Sequence, residues 1–244
     1  MDITANLIHF WDLNSFIIVF GGTIVSLLLN CSPKVFITMF RHIKVLVRKK
    51  YPIESVIQTI YALSEKARKN GILTLEQEIK SMKEPFFRRG LMFLVDAMGA
   101  KQVKYVLEQD VQYMEQRHET SAEIYDKGAS YATAFGVIGT LLQLVLVLIT
   151  LGEEQGTAQG LGAKMALALL PILYGSILAG VVFYPIGRKL RVKNEEEVLY
   201  KQIVIEGIIA IQEGENPKHI KEQLLSAVEE GKREKAFSSS TKKG

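Results

Sequence analysis

The side chains that most often do chemistry in proteins are few and widely separated in this sequence. Cys31 is the single cysteine, so an intrachain disulfide and a thiolate metal cluster are both excluded. The histidines are spread along the chain, at His9, His42, His118 and His219. No two of them lie four residues apart, and neither a glycine-rich phosphate loop nor a nucleophile elbow is present. The sequence therefore disfavours an enzyme, and we expect no metal site and no cofactor.

Three long runs of mostly apolar residues carry no formal charge: 13–33, 128–152 and 165–187. A bilayer is crossed by about 20 apolar residues in a helix, so each run is predicted to be a transmembrane helix. None of the runs contains Asp, Glu, Lys, Arg or His. Moving protons or sodium ions across a membrane on a carboxylate requires such a group within it. This chain therefore cannot carry an ion alone.

Basic residues beside the runs predict the orientation. They follow the first and third runs, at Lys34, Arg41, Lys44, Arg48, Lys49, Lys50, Arg188, Lys189, Arg191 and Lys193. Because Lys and Arg favour the cytoplasmic side, residues 34–127 and 188–231 are predicted to be cytoplasmic. Residues 1–12 and the loop 153–164 are then external. The twelve residues before the first run carry no Lys or Arg, unlike a signal peptide, so this run is predicted to stay uncleaved.

The cytoplasmic segment between the first two runs is predicted to be helical. Apolar residues recur at helical spacing over Pro52–Asn70, and Gly71 suits the C-terminal cap. A short second helix is expected from Thr74, with Gln77 completing a capping box. A third helix is predicted over Pro85–Met98.

A fourth helix, beginning near Lys101, is predicted to continue through the second run. Beyond the third run, Asn216 and Pro217 suit the cap and first residue of a terminal helix that reaches about Glu230. The tail 232–244, rich in Lys, Arg and Ser, is predicted to be disordered. The predicted class is an all-α membrane protein with three transmembrane helices, a helical cytoplasmic domain between the first and second, and a helical cytoplasmic C-terminal segment.

Several motifs, in one order along the chain, carry a family resemblance. They are Asp12, Ser15 and IIVFGGT at 17–23, ARKNGILTLE at 67–76, the VD at 95–96, ATAFGVIGTLLQL at 132–144, LYGSILAGVVFYPIGRKL at 173–190 and EGENP at 213–217. By these motifs the chain resembles the flagellar stator subunit family MotA/PomA, in the wider group that includes the ExbB and TolQ energy transducers. The family has four spans and this sequence begins just before the second. We expect either a misplaced or truncated start or a three-span member.

The resemblance implies a function and partners. Family members form a homo-oligomeric ring, expected to be a pentamer, around a MotB/PomB partner whose single span supplies the membrane Asp. The implied function is an ion-conducting complex of the bacterial inner membrane that generates torque on the flagellar rotor switch protein. The implied ion is H+ or Na+, and the other partner is membrane lipid. Two alternatives stay open: an ExbB/TolQ-like transducer for another envelope partner, and a non-conducting scaffold derived from a stator. The mild net charge of +4 does not indicate nucleic acid.

The resemblance also implies an ion path. Thr140 matches a threonine that is linked to ion selectivity in sodium-type relatives, so we expect its hydroxyl to line the path. The alternative is that this hydroxyl bonds the carbonyl four residues earlier in its own helix. Thr133 stands where the family has proline, Gln143 stands where it has a pore-side glycine, and Tyr174 belongs to the LYG motif; all three are assigned to the same path.

Other departures and matches imply further roles. Pro171 and Ile172 replace paired threonines, which favours protons over sodium ions. Pro171 is expected to act as a helix hinge, and Pro185 as a second hinge near the end of the third span. Small residues are expected where helices approach closely, at Gly136, Gly139 and Gly175.

Two charged residues of the ARKNGILTLE motif, Arg68 and Glu76, resemble the family's contacts to the rotor. The alternative for both is an ordinary solvated helix face.

Overall fold

The computed structural model describes residues 10–31, 39, 51–153 and 160–228, and its helices form two units. The first unit comprises residues 1–48 and 118–192, and the second comprises residues 49–117 and 193–244. No strand occurs among the described residues, and three helices are long and apolar enough to cross a membrane. The all-α membrane class is thus confirmed. The predicted tail 232–244 and all six basic residues that follow the first run lie outside the described residues.

In the first unit, α1 spans Leu13–Asn30 and contains a π-helical segment, Ile17–Gly21. The helix α5, Ala100–Glu153, enters this unit at His118. Further along the chain come α6 (Leu161–Ala168), α7 (Leu170–Ile177), a π-helical segment (Leu178–Phe183) and α8 (Tyr184–Gln212). Helix α1 packs on α5, because Gly22 lies directly against the ring of Phe135.

The second unit contains the first part of α5, the last part of α8 and four more helices. These are α2 (Ile53–Asn70), α3 (Glu76–Ser81), α4 (Pro85–Val95) and α9 (Pro217–Ser226), with a 3₁₀ turn at Ile72–Leu75. Each amphipathic helix turns its apolar stripe inward, and one core results. Its fully buried members include Ile57, Ile60, Leu75, Phe87, Leu91, Leu107, Ile203, Ile208, Ile220 and Leu224.

Close approaches in this core depend on two glycines. A Cβ at Gly207 would lie 2.7 Å from the side chain of Ile60, and one at Gly90 would lie 2.3 Å from the side chain of Ile208. These contacts bring α8 against α2 and α4. The stripes predicted from helical periodicity therefore pack as one cluster.

Helix ends show where the sequence rules worked and where they failed. Gly71 ends α2 with a φ of 84°, and the Asn216 side chain caps α9, both as predicted. The capping box at Thr74 is wrong, because its hydroxyl donates to the Gly71 carbonyl and α3 begins at Glu76 without a side-chain cap.

Two predicted helices are shorter than expected. Helix α4 ends at Val95 rather than Met98, since Ala97 adopts a left-handed φ of 55° that stops the helix. Helix α9 ends at Ser226, before the predicted Glu230. The long helix predicted from Lys101 into the membrane is confirmed as the unbroken α5.

Candidate functional site

The N-terminus of α1 is held by a cluster of polar side chains. Asp12 is its N-cap: the carboxylate Oδ2 accepts from the Ser15 amide at 2.7 Å and from the Ser15 hydroxyl at 2.5 Å. The Gln143 side chain, from α5, donates its Nε2 to Ser15 Oγ at 2.7 Å and to Asp12 Oδ2 at 3.3 Å. Ser15 is fully buried, whereas Asp12 and Gln143 are half-buried. One carboxylate oxygen thus receives three donors.

These hydrogen bonds stabilise the ionised form of Asp12. Desolvation raises the pKa of its carboxyl, but the hydrogen bonds from the Ser15 side chain and backbone and from the Gln143 side chain outweigh that effect. The pKa of Asp12 is consequently lowered from its ordinary value. The α1 N-terminus, where the helix dipole favours negative charge, carries an ionised carboxylate at neutral pH.

Tyr174 ties the same cluster to α7. Its hydroxyl accepts from the Asp12 amide at 3.0 Å and donates to the Phe10 carbonyl. The structure therefore brings together two of the residues predicted for the ion path, Gln143 and Tyr174. It adds Asp12 and Ser15, which the sequence reasoning used only as motif residues. Their spacing of three, just before an apolar run, is the N-cap pattern that would have found them.

Thr140 lies one turn before Gln143 on α5 and satisfies two backbone groups. Its hydroxyl donates to the Gly136 carbonyl at 3.0 Å, which is the bond to the carbonyl four residues earlier that the sequence offered as the alternative to an ion-path role. It also accepts from the Ile172 amide at 3.1 Å. That amide lies in the first turn of α7, where N–H groups lack partners within the helix. Thr140 is 8% exposed, so it joins two helices in the interior of the unit.

Thr133 differs from Thr140 in its surroundings. It is exposed, and its hydroxyl donates to the Ala129 carbonyl at 3.0 Å within α5. Helix α5 continues through this position without a break. The structure does not place Thr133 with the Asp12 cluster, and its role in an ion path stays a prediction.

The predicted packing glycines lie where α5 meets α7. A Cβ at Gly175 would lie 2.5 Å from the Ala132 carbonyl oxygen, and one at Gly136 would lie 3.1 Å from the Pro171 carbonyl oxygen. A Cβ at Gly139 would lie 2.7 Å from the Pro171 side chain. The two backbones touch, as small residues allow between membrane helices.

The two predicted hinge prolines lie beside irregular backbone. Pro171 is in the first turn of α7, directly after the turn at Leu169 that separates α6 from α7. Pro185 follows the π-helical segment Leu178–Phe183, whose wider turn suits a residue without an N–H. Hinge motion at either proline stays a prediction.

A cavity of about 650 Å³ opens beside the Asp12 cluster. Asp12 and Gln143 line it, and Lys164 contributes a positive charge. The rest of its wall is mostly apolar, from Ile17, Ile18, Leu142, Val145, Leu146, Val147 and Leu167. The polar cluster is therefore one wall of a largely apolar cavity within the first unit.

Comparisons with known proteins match this arrangement to one family. The family model described as MotA/TolQ/ExbB proton channel family matches residues 78–203. The chain is 36% identical over 217 residues to the uncharacterized protein YtxD of Bacillus subtilis (88% of this chain, 78% of that protein). It is 34% identical over 224 residues to Motility protein A of Borreliella burgdorferi (89% and 82%). The chain belongs to the MotA/TolQ/ExbB family.

Structural similarity agrees with the sequence comparisons. The flagellar MotAB stator complex from Bacillus subtilis matches with a TM-score of 0.85 and 26% identity, covering 93% of this chain and 88% of that one. The resemblance to MotA/PomA drawn from the motifs is confirmed, and the chain is a multi-pass membrane protein of this family. Its family places it among channel-type stator subunits.

At the other end of the MotA-type hairpin, three charged groups join α5 to α8. The Arg191 guanidinium donates its Nε to Glu119 at 2.9 Å and an Nη to Asp126 at 2.5 Å. These hydrogen bonds raise the pKa of Arg191 further above its already high value. A small residue lies beside them: a Cβ at Gly187 would lie 3.3 Å from Asp126. Sequence reasoning missed this cluster because its members lie 72 and 65 residues apart.

In the second unit, the motif residues Arg68 and Glu76 are both exposed. Neither forms an ion pair with another residue of the described part of the chain. Their neighbours Lys66 and Glu78, in contrast, pair with each other at 2.7 Å. The two charges that resemble rotor contacts in MotA are thus displayed on the surface of the helical unit.

Proposed function

We propose that this chain is a stator subunit of a bacterial flagellar motor, located in the inner membrane as a multi-pass protein. With a MotB/PomB-like partner it forms an ion-conducting complex that generates torque on the rotor. The observation that carries this proposal is the family match together with spans that hold no Asp, Glu, Lys, Arg or His. The similarity to Motility protein A of Borreliella burgdorferi and to the MotAB stator complex of Bacillus subtilis supports it.

The partner is needed for the chemistry of the path. The described spans offer hydroxyl and amide groups but no carboxylate, so the proton-carrying group must come from another chain. A single-span partner with an intramembrane Asp supplies it. The similar structure from Bacillus subtilis is a flagellar MotAB stator complex, which supports a MotB-type partner here.

Assembly into a ring is supported by the uncovered faces of the hairpin. Apolar side chains at Leu141, Val145 and Leu148 follow one face of α5, and each is more than half exposed. A second stripe of exposed side chains, Ile177, Val181 and Tyr184, runs through the third span. We propose that further copies, expected to number five, the partner span and membrane lipid cover these stripes.

We propose protons rather than sodium ions as the translocated species. A metal cation that loses water needs several oxygen ligands in its path. Thr140 donates its proton to a carbonyl and accepts an amide, and the side chains at 171 and 172 carry no hydroxyl. A proton carried on a partner carboxylate needs no such shell.

Residues 34–127 and 188–231 are proposed to be cytoplasmic, and within them Arg68 and Glu76 contact the rotor switch protein. Both charges are exposed and free to pair with an oppositely charged surface, which would act on register and association rate more than on folding. An ExbB/TolQ-like transducer would have no rotor to engage, and a non-conducting scaffold would drive no rotation.

The test is motility of a stator-deleted bacterium that expresses this chain with a MotB-type partner. We expect rotation that a proton uncoupler stops and that sodium concentration does not change. Arg68→Glu is expected to reduce torque at least about tenfold, as for a central charged contact in an interface. Lys69→Glu, at the adjacent exposed position, is the matched control. The stator assignment fails if no partner restores rotation, and the rotor contact fails if Arg68→Glu and Lys69→Glu behave alike.

A further inference from the structure

Three oxygen atoms of the Asp12 cluster, Asp12 Oδ2, Ser15 Oγ and the Tyr174 hydroxyl, accept hydrogen bonds from within the chain. Asp12 Oδ2 receives two donors from Ser15 and one from Gln143. Ser15 Oγ donates to Asp12 and accepts from Gln143. The Tyr174 hydroxyl both accepts from the Asp12 amide and donates to the Phe10 carbonyl. Each of these three oxygen atoms therefore already accepts at least one hydrogen bond within the protein.

Occupied oxygens are poor ligands for a metal cation. A monovalent cation leaves water only when protein oxygens replace its hydration shell. Asp12 supplies the negative charge of the cavity wall, because an aspartate whose pKa is not raised is ionised at neutral pH. The charge alone would attract cations, but its oxygen Oδ2 already has three hydrogen bonds.

Gln143 is the member of the cluster that can be removed without removing the helix cap. The two bonds from Ser15 are local to the first turn of α1 and form whenever this helix is capped. The Gln143 amide reaches the same atoms from α5, 128 and 131 residues away. A residue without a side-chain donor at this position would free Ser15 Oγ and one site on Asp12, both beside the cavity.

We propose that Gln143 is the residue that excludes metal cations from this site, by holding Asp12 and Ser15 in hydrogen bonds that a sodium ion would have to break. The role of Gln143 in ion choice rests on the proposed function, whereas the hydrogen bonds of the site do not depend on it. Lys164, on the same cavity, adds to the exclusion by its positive charge, and the Tyr174 hydroxyl holds the backbone of Asp12. Gln143 is thus a specificity-determining residue of the path.

The first experiment needs neither partner nor motor. Purified protein in lipid nanodiscs is unfolded thermally in sodium chloride and in choline chloride of equal ionic strength. A ligand that binds only the folded state raises the Tm with its concentration. We expect no sodium-specific shift for the wild type and a clear shift for Gln143→Ala, whose apparent sodium affinity should be at least about tenfold higher, equal to about 1.4 kcal/mol.

Three variants make the result specific. Gln143→Met keeps the length of the side chain without a donor, so it should bind sodium as Gln143→Ala does and covers the case in which alanine destabilises the fold. The double variant Asp12→Asn with Gln143→Met should lose the shift. Gln109→Ala, a glutamine of α5 that bonds Gln112 in the second unit, should match the wild type. A shift in the wild type, no shift in either Gln143 variant, or a shift that survives Asp12→Asn overturns the proposal.

The second experiment measures ion choice in the complex with a MotB-type partner. Gln143→Met should make rotation or ion flux rise with sodium concentration at constant pH, while the wild type stays insensitive. If sodium stabilises the purified variant but the complex conducts nothing, the site is supported and the proposed stator function is contradicted. If the wild-type complex conducts protons and the variant gains no sodium dependence, the role of Gln143 in ion choice is wrong.

Discussion

Replacement of Gly175 by alanine tests the contact on which the hairpin depends. The added methyl would lie 2.5 Å from the Ala132 carbonyl oxygen and 3.0 Å from the Gly136 Cα, both of them backbone atoms. An ordinary contact begins at 3.4 Å, so α5 and α7 must separate by roughly 1 Å. Overpacking of this kind costs about 1–3 kcal/mol.

A second glycine on the same span isolates the steric part of that cost. Alanine gains about 1 kcal/mol over glycine in a helix, and this gain would hide part of the loss at Gly175. A Cβ at Gly180 meets nothing within 4 Å, so Gly180→Ala carries the gain without the clash. The difference between the two variants should therefore approach the full overpacking cost.

The assay is thermal unfolding of both purified variants in the same detergent or nanodisc. For a chain of this size, 1 kcal/mol corresponds to about 2–4 °C in Tm, so Gly175→Ala should unfold roughly 2–12 °C below Gly180→Ala. Gly175→Ala should also weaken binding of the partner more than Gly180→Ala does. Equal Tm values for the two variants would show that the α5–α7 backbones are farther apart than the structure has them.

Two further predictions concern charge and pH. Burial, and secondarily the charge of Glu84, raises the pKa of Tyr200 to about 12, so the free energy of unfolding should fall as pH rises from about 10 to about 12, where the unfolded tyrosine ionises first. Tyr200→Phe should lessen that fall in alkaline denaturation, and exposed Tyr113→Phe should not. Arg191→Gln should lower the free energy of unfolding by about 0.5–1 kcal/mol after solvent screening, and this loss should shrink in high salt. The control variant Lys189→Gln should lower it by roughly a few tenths of a kcal/mol at most. A salt-independent loss at Arg191 would mean that packing, not charge, holds the cluster.

The helices of this protein could be predicted largely from its sequence, because their causes are local. Bilayer-length uncharged runs define the spans, and a stripe at helical spacing defines α2 with its glycine cap. Ends that depend on fine backbone geometry were predicted less well. The 3₁₀ turn at Ile72–Leu75 displaced the capping box expected at Thr74, and the left-handed Ala97 shortened α4.

The residues of the candidate site were also partly predictable, but not their bonds. The motifs singled out Thr140, Gln143 and Tyr174, and the structure leaves Thr133 apart from them. That Gln143 reaches Asp12 and Ser15 could not be read from the sequence, since 131 and 128 residues separate them. Periodicity shows which face of a helix is apolar, but it cannot show which turn of another helix that face meets.

The sequence by itself determined that this chain spans a membrane, that its spans are helices, and that the three uncharged runs hold no carboxylate with which to carry an ion. These follow from residue type and local spacing. The tertiary structure decided which polar groups are already used. The register of α1 and α7 against α5 lets the Thr140 hydroxyl accept a hydrogen bond from the Ile172 amide. The same register lets the Gln143 side chain donate to Asp12 and Ser15. Register is fixed by close packing at glycines far apart in the chain, and for that reason only the folded molecule contains it.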